Sequence, residues 1–154
     1  MLNESYSTII LTEAQKAWLA GFIDGEGYLG ITFQRKKETR SQTASPLYHP
    51  YLIIVNTNRK VLFYIENIIK VGKVYGLKKG TDKLKESFQY RLTKMDILQN
   101  LLEVIRPHLQ VKAAQCDILL KFIKNRKSAS LFLKTGRGSR GRTSFTAEDN
   151  KLYN

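Results

Sequence analysis

Residues 19–27 read LAGFIDGEG, which places three glycines and two acids at the end of a helical run. The helix is announced by Thr12 and Gln15 at capping-box spacing, and Ala14, Ala17, Trp18, Gly21 and Phe22 follow at helical intervals. Glycine inside a helix costs about 1 kcal/mol against alanine, so Gly21 and Gly25 must return something that a larger side chain would prevent. From Tyr28 the period changes to two: Leu29, Ile31 and Phe33 alternate with Gly30, Thr32, Gln34 and Lys36. A strand with one apolar and one polar face therefore follows the glycines directly. Gly25 and Gly27 would also suit a plain helix C-cap; the strand pattern after them argues for more than that.

A polar connection, RKKETRSQTASP, leads to a second strand over Tyr48–Asn56. Asn58 then caps a helix bearing Val61, Leu62, Ile65, Ile68 and Ile69, which stops near Gly72. Lys73–Lys79 and Ser87–Thr93 read as a hairpin around GTDKLKE, with Phe88, Tyr90 and Leu92 facing one way and Gln89 and Arg91 the other. Helices are expected over Asp96–Leu109, with Pro107 and His108 near its end, and over Lys112–Arg126. The order predicts an α+β fold, αββαββα, with helices covering one face of an antiparallel sheet and the other face open. Residues 1–133 read as this one domain. Residues 134–154 read as a basic Gly/Arg-rich tail, with a short helix after Thr146.

The 154 residues are enough to bury a core, and 42% hydrophobic with 25% charged residues are ordinary globular values. The balance of charge is not ordinary. Lys and Arg number 26 against 13 Asp and Glu, a formal charge of +13, which suits a protein that holds a polyanion. Nucleic acid leads over anionic membrane, because no basic amphipathic helix or lipid signal stands out. No apolar run approaches the ~20 residues that span a bilayer, and MLNESYSTIIL lacks the flanks of a secretory or transit signal. The lone Cys116 falls in an apolar helical pattern and reads as a buried, inert thiol in a reducing compartment.

LAGFIDGEG resembles the signature of the LAGLIDADG homing endonucleases. Leu19, Ala20, Gly21, Ile23, Asp24 and Gly27 are in register, Phe22, Gly25 and Glu26 are substitutions, and the αββαββα order extends the likeness over residues 12–127. The resemblance implies that the motif helix packs against its counterpart from a second copy, with Leu19, Gly21, Phe22, Asp24 and Gly25 at the interface. One motif then implies a symmetric homodimer on a roughly palindromic duplex DNA target. It assigns Glu26 and the Gly25 carbonyl to Mg²⁺, a site that Mn²⁺ or Ca²⁺ also suits. It further implies hydrolysis of one phosphodiester per strand across the minor groove, leaving 3′ overhangs. Lys112, at the spacing Pro107-x-Leu109-x-x-Lys112, corresponds to a basic residue near the scissile phosphate. Asp24 is read as structural. For the residue that orients water at the end of the second strand, VNTNR favours Thr57, with Asn56 and Asn58 as competitors. His49 and His108 lack metal spacing and are left as surface residues.

Alternation places Gly30, Thr32, Gln34, Lys36, Gln89 and Arg91 on the DNA face, joined by Tyr75. Arg35, Lys37, Arg40, Lys73, Lys78, Lys79, Lys83 and Lys85 are candidates for phosphates. Leu52 and Ile54 are apolar where the phase of the first strand calls for polar residues: either they meet thymine methyls or their strand is more buried. The basic run Lys134–Arg142 either tracks phosphates or is solvated. The expectation is a Mg²⁺-dependent, homodimeric DNA endonuclease with no small-molecule substrate and no membrane partner. The resemblance makes it an intracellular, intron-encoded product of a chloroplast, a mitochondrion or a microbe. Its rivals are an intron-RNA maturase of the same fold and a decayed, non-catalytic DNA-binding regulator. The presence of both Glu26 and Lys112 counts against the second.

Overall fold

A computed structural model of the chain describes residues 8–35, 46–135 and 147–153. Its elements are α1 (Glu13–Glu26), β1 (Gly27–Arg35), β2 (Pro46–Asn56), α2 (Arg59–Ile69), β3 (Lys73–Lys78), β4 (Ser87–Leu92), α3 (Met95–Ile105), a 3-10 turn (Arg106–His108), α4 (Ala113–Thr135) and α5 (Ala147–Tyr153). The strands form one antiparallel sheet in the order β1-β2-β4-β3. This is the α+β arrangement that the periodicity implies.

Local chemistry sets the element ends. The Gln15 amide donates to the Thr12 hydroxyl at 3.2 Å while the Gln15 side chain accepts from the Thr12 amide at 2.9 Å, closing the capping box. Asn58 accepts from the Lys60 and Val61 amides at 3.1 and 3.4 Å and starts α2. The chain passes from α1 to β1 with no residue between them, and Gly27 is what allows it. A Cβ there would lie 2.8 Å from the Ile23 carbonyl oxygen and 2.9 Å from its Cα. Two helix boundaries differ from expectation. Pro107 cannot supply a helical N–H, so α3 ends at Ile105 and the chain tightens into the 3-10 turn instead of continuing to Leu109. α4 runs on past Arg126 to Thr135.

The core lies between the sheet and its helices: Leu19, Ala20 and Ile23 of α1, Leu62, Ile65 and Ile69 of α2, Leu98, Leu101 and Leu102 of α3, and Cys116, Phe122 and Ile123 of α4. The register of the sheet decides which side of β2 joins them. Leu29 pairs with Leu52, Gly27 with Ile54, Leu52 with Leu92 and Ile54 with Tyr90, so these residues share the covered face, and Leu52 and Ile54 are fully buried. Contact with thymine methyls is thereby excluded. Of the two alternatives left open for this strand, the buried one holds; carrying the phase of the first strand across would have slipped it by one residue, a shift that exchanges every inward and outward side chain. Leu19 is corrected too: it is completely buried in its own protomer and cannot meet a second copy.

Burial pushes the Cys116 thiol up to about 11, with the charge of Asp117 adding to the effect and Arg106 opposing it, so the thiol is inert as expected. The final helix packs on the domain. Lys121 pairs with Glu148 at 3.0 Å, and the Tyr153 ring centroid lies 4.8 Å from that of Tyr48 and 5.9 Å from that of Phe33. Residues 136–146, which hold most of the expected basic run, lie outside the described residues.

Candidate active site and nucleic-acid face

The end of α1 is tied to a loop more than 80 residues away in sequence. The Asp24 carboxylate accepts from the backbone amides of Gln110 at 2.7 Å, Val111 at 3.2 Å and Lys112 at 2.9 Å. In return the Lys112 ammonium donates to the Asp24 carbonyl at 2.5 Å. Arg106 spans the same loop with a two-pronged pair to Asp117 at 2.6 and 2.8 Å. Desolvation by itself would raise the Asp24 carboxyl. The amides of Gln110, Lys112 and Val111, together with the Lys112 charge, outweigh it and hold the group below its ordinary value. Asp24 thus ties the end of α1 to this loop and fixes the position of Lys112.

Replacing Asp24 by Asn removes the charge and leaves one acceptor oxygen, which should cost about 1–2 kcal/mol at neutral pH, part of the loss being recovered by water. Because the folded carboxyl is depressed, its contribution is complete above the ordinary value of 3.8 and disappears as pH falls through the lower folded value. Urea titrations of both proteins from pH 7 downward should therefore show a stability gap that closes in acid. A constant gap would remove the ionised carboxylate from the account.

Beside this joint lies a cleft of about 420 Å³ lined by Gly25, Glu26, Gly27, Tyr28, Leu29, Val55, Lys112 and Gln115. It brings Glu26, Gly25 and Lys112 together, as expected of them. Thr57 is not among its walls. Pairing of β2 ends at Asn56, the chain bends, and Thr57 stands exposed on the bend. Its two competitors serve the turn: Asn56 accepts from the Asn58 amide at 2.8 Å, and Asn58 caps α2. The β2 residue that faces the cleft is the apolar Val55. Tyr28 and Gln115 were not foreseen, although Gln115 stands three residues after Lys112, a spacing that puts both on one side of a helix start.

Among the described residues no three His, Cys, Asp or Glu side chains gather, so one protomer brings a single carboxylate, Glu26, to this cleft. An exposed carboxylate next to a backbone carbonyl is an all-oxygen donor set that fits Mg²⁺, provided that a second copy, phosphate or water completes the shell.

The face of the sheet that carries no helix holds the expected reading residues. Tyr28, Gly30, Thr32 and Gln34 of β1 oppose Ile53, Tyr51, His49 and Leu47 of β2; Ile53 and Val55 oppose Arg91 and Gln89 of β4, which oppose Lys73 and Tyr75 of β3. Lys73, Tyr75, Gln89 and Arg91 line a hollow of about 690 Å³. Gly30 has a different part from the one expected. A Cβ there would lie 2.7 Å from the Tyr51 hydroxyl oxygen, so the glycine makes room for the tyrosine, and Tyr51 fills the space. Tyr51 and His49 were missed because the phase of β2 was left open; choosing the alternative in which Leu52 and Ile54 are buried reveals both. Arg35 closes β1, while Lys36 and Arg40 lie outside the described residues.

On the outer side of α1, Ala14, Ala17, Gly21 and Gly25 are all exposed, and a Cβ at either glycine would meet nothing within 4 Å. Trp18, 39% exposed, borders this stripe, stacked on Phe22 at 5.2 Å and edge-on to Tyr64 at 5.2 Å. The stripe is small and apolar, and among the described residues it has no partner.

Comparison with known proteins agrees with this geometry. The family model described as LAGLIDADG endonuclease matches residues 19–124. The DNA endonuclease I-CvuI of Chlorella vulgaris is 29% identical over 124 residues, 77% of this chain and 71% of that protein. Among solved structures, I-CvuI in complex with the I-CreI target superposes with a TM-score of 0.60 at 24% identity, covering 91% of this chain and 95% of that one. I-SmaMI bound to DNA gives a TM-score of 0.66 at 14% identity, but this chain, with its one motif, spans only 44% of it. The chain belongs to the LAGLIDADG endonuclease family of DNA-cleaving enzymes, in its single-motif class.

Proposed function

We propose that this chain is an intron-encoded, site-specific endonuclease that binds a pseudo-palindromic duplex as a symmetric homodimer. It hydrolyses one phosphodiester in each strand across the minor groove and leaves 3′ overhangs. The observation that carries the reading is the position of the cleft: it lies at the end of the same helix whose exposed stripe of small residues has no partner among the described residues. Pairing two such stripes about a two-fold axis brings two copies of Glu26 to one place, which a single protomer cannot do.

Glu26 and the Gly25 carbonyl would hold Mg²⁺, which supplies charge neutralisation at the phosphate and activation of a water. Lys112 spends one of its three donors on the Asp24 carbonyl, leaving two for a phosphate oxygen as negative charge builds in the transition state. The helix-free sheet face serves as a ribbon for the major groove, where Arg91 suits guanine and Gln89 suits adenine.

Incubation with a randomised plasmid library and Mg²⁺ should yield one recurrent cut, from a complex of two protomers per duplex. The reading fails if no sequence is cut recurrently. Preference for structured intron RNA over duplex in the same competition would transfer it to a maturase. Across a salt series followed by fluorescence anisotropy, Lys73→Ala should weaken binding to all duplexes alike and reduce the log–log salt slope by about 1. Arg91→Ala should cost about 1–3 kcal/mol on the target alone. Equal losses on target and random duplex would make Arg91 a phosphate contact.

A further inference from the structure

Any water that attacks phosphorus in this cleft needs a hydrogen-bond acceptor to fix its direction, since in-line geometry carries much of the rate. The walls offer few. Lys112 has donors only, and β2 contributes Val55, which has neither donor nor acceptor. Among the described residues Glu26 is the only carboxylate in the lining, and the endonuclease reading gives it to the cation. Tyr28 and Gln115 are both exposed, but Tyr28 carries its donor and acceptor on a single oxygen, whereas the amide of Gln115 presents an acceptor and a donor on separate arms that can reach a water and a phosphate oxygen together. Gln115 is therefore the better placed of the two. Its backbone is rigidly placed in the first turn of α4, where the Cys116 amide closes on the Lys112 carbonyl at 2.9 Å, Asp24 ties down the three preceding residues, and Arg106 clamps Asp117.

We infer that Gln115 is the water-orienting residue of this active site, in the place that Val55 leaves without a polar group. The inference rests on the endonuclease reading above. The amide oxygen accepts one water hydrogen while the amide nitrogen donates to a non-bridging phosphate oxygen, which aligns the water with the bond to be broken. The water oxygen then bonds to phosphorus, one bridging P–O bond breaks, and the proton given up by the water reaches the departing oxygen through solvent. Gln115 gains and loses no proton.

The test uses the full chain and the target recovered from the plasmid library. Gln115→Ala should lower the single-turnover cleavage rate by about 10²-fold, with duplex affinity measured in Ca²⁺ within about twofold of wild type. The shape of its pH–rate profile should be unchanged, because an amide does not titrate. Adding Val55→Gln, which supplies an amide from the opposite wall, should recover at least about tenfold of that loss. Three results would overturn the inference: cleavage by Gln115→Ala at close to the wild-type rate, a fall in affinity as large as the fall in rate, or no recovery in the double variant. Each of these leaves the endonuclease reading standing, whereas a wild-type chain that cuts nothing ends both.

Discussion

Glu26→Gln is expected to end cleavage while the duplex is bound as tightly as before, or more tightly. The side chain is nearly isosteric and exposed, so the fold has no reason to notice the change. What disappears is the one carboxylate each protomer brings to the cleft. Transition-state stabilisation by a bound metal is worth several kcal/mol, and at 1.36 kcal/mol per tenfold its loss amounts to about 10³-fold or more in rate. Binding should respond in the opposite sense. Without metal a carboxylate repels the phosphates beside it, so in EDTA the variant should hold DNA at least as well as the wild type. Single-turnover cleavage and anisotropy in parallel decide the matter. A variant that cuts at the wild-type rate would show that the cleft is not the active site.

Gly21→Leu should separate the proposed dimer without unfolding the protomer. Among the described residues a Cβ at residue 21 meets nothing within 4 Å, and replacing a helical glycine by a good helix former stabilises the helix by roughly 0.5–1 kcal/mol. Across a two-fold interface the same change enters twice. At about 1–3 kcal/mol for each overpacked side chain, self-association should weaken by roughly 30-fold to 10⁴-fold. Sedimentation should then find monomers at concentrations where the wild type is dimeric, with an equal or higher melting temperature and no cleavage. If Gly21→Leu remains dimeric and active, the stripe on α1 is not where two copies meet.

Much of the fold was open to reading because its signals are local. The capping box at Thr12, the cap at Asn58 and the alternation of Phe88, Tyr90 and Leu92 each act within a few residues, and each lies where expected. The same holds for Glu26 and Lys112, which the motif and the Pro107-to-Lys112 spacing single out and the cleft brings together. β2 was left with two readings because it is covered on one side by α1, α2, α3 and α4. Its apolar residues stand on both faces, so alternation alone gives no phase. Thr57 was favoured by a count from Val55 that carries the alternation past the end of the strand, which is Asn56 both as expected and as observed.

From its residues alone this chain determined an α+β order of elements, a glycine-bearing helix ending in an acid, and a basic, polar strand face, since all of these arise from the spacing of near neighbours. Tertiary structure decided that Leu19 points inward while Gly21 points out, that Tyr51 covers Gly30, and that Asp24 gathers the amides of residues 110–112. It also decided that Val55 and Gln115 share a cleft with Glu26. The physical reason is one of range. Periodicity tells a side chain which neighbours in sequence share its face, but only packing against segments far along the chain determines whether that face is covered, and by what.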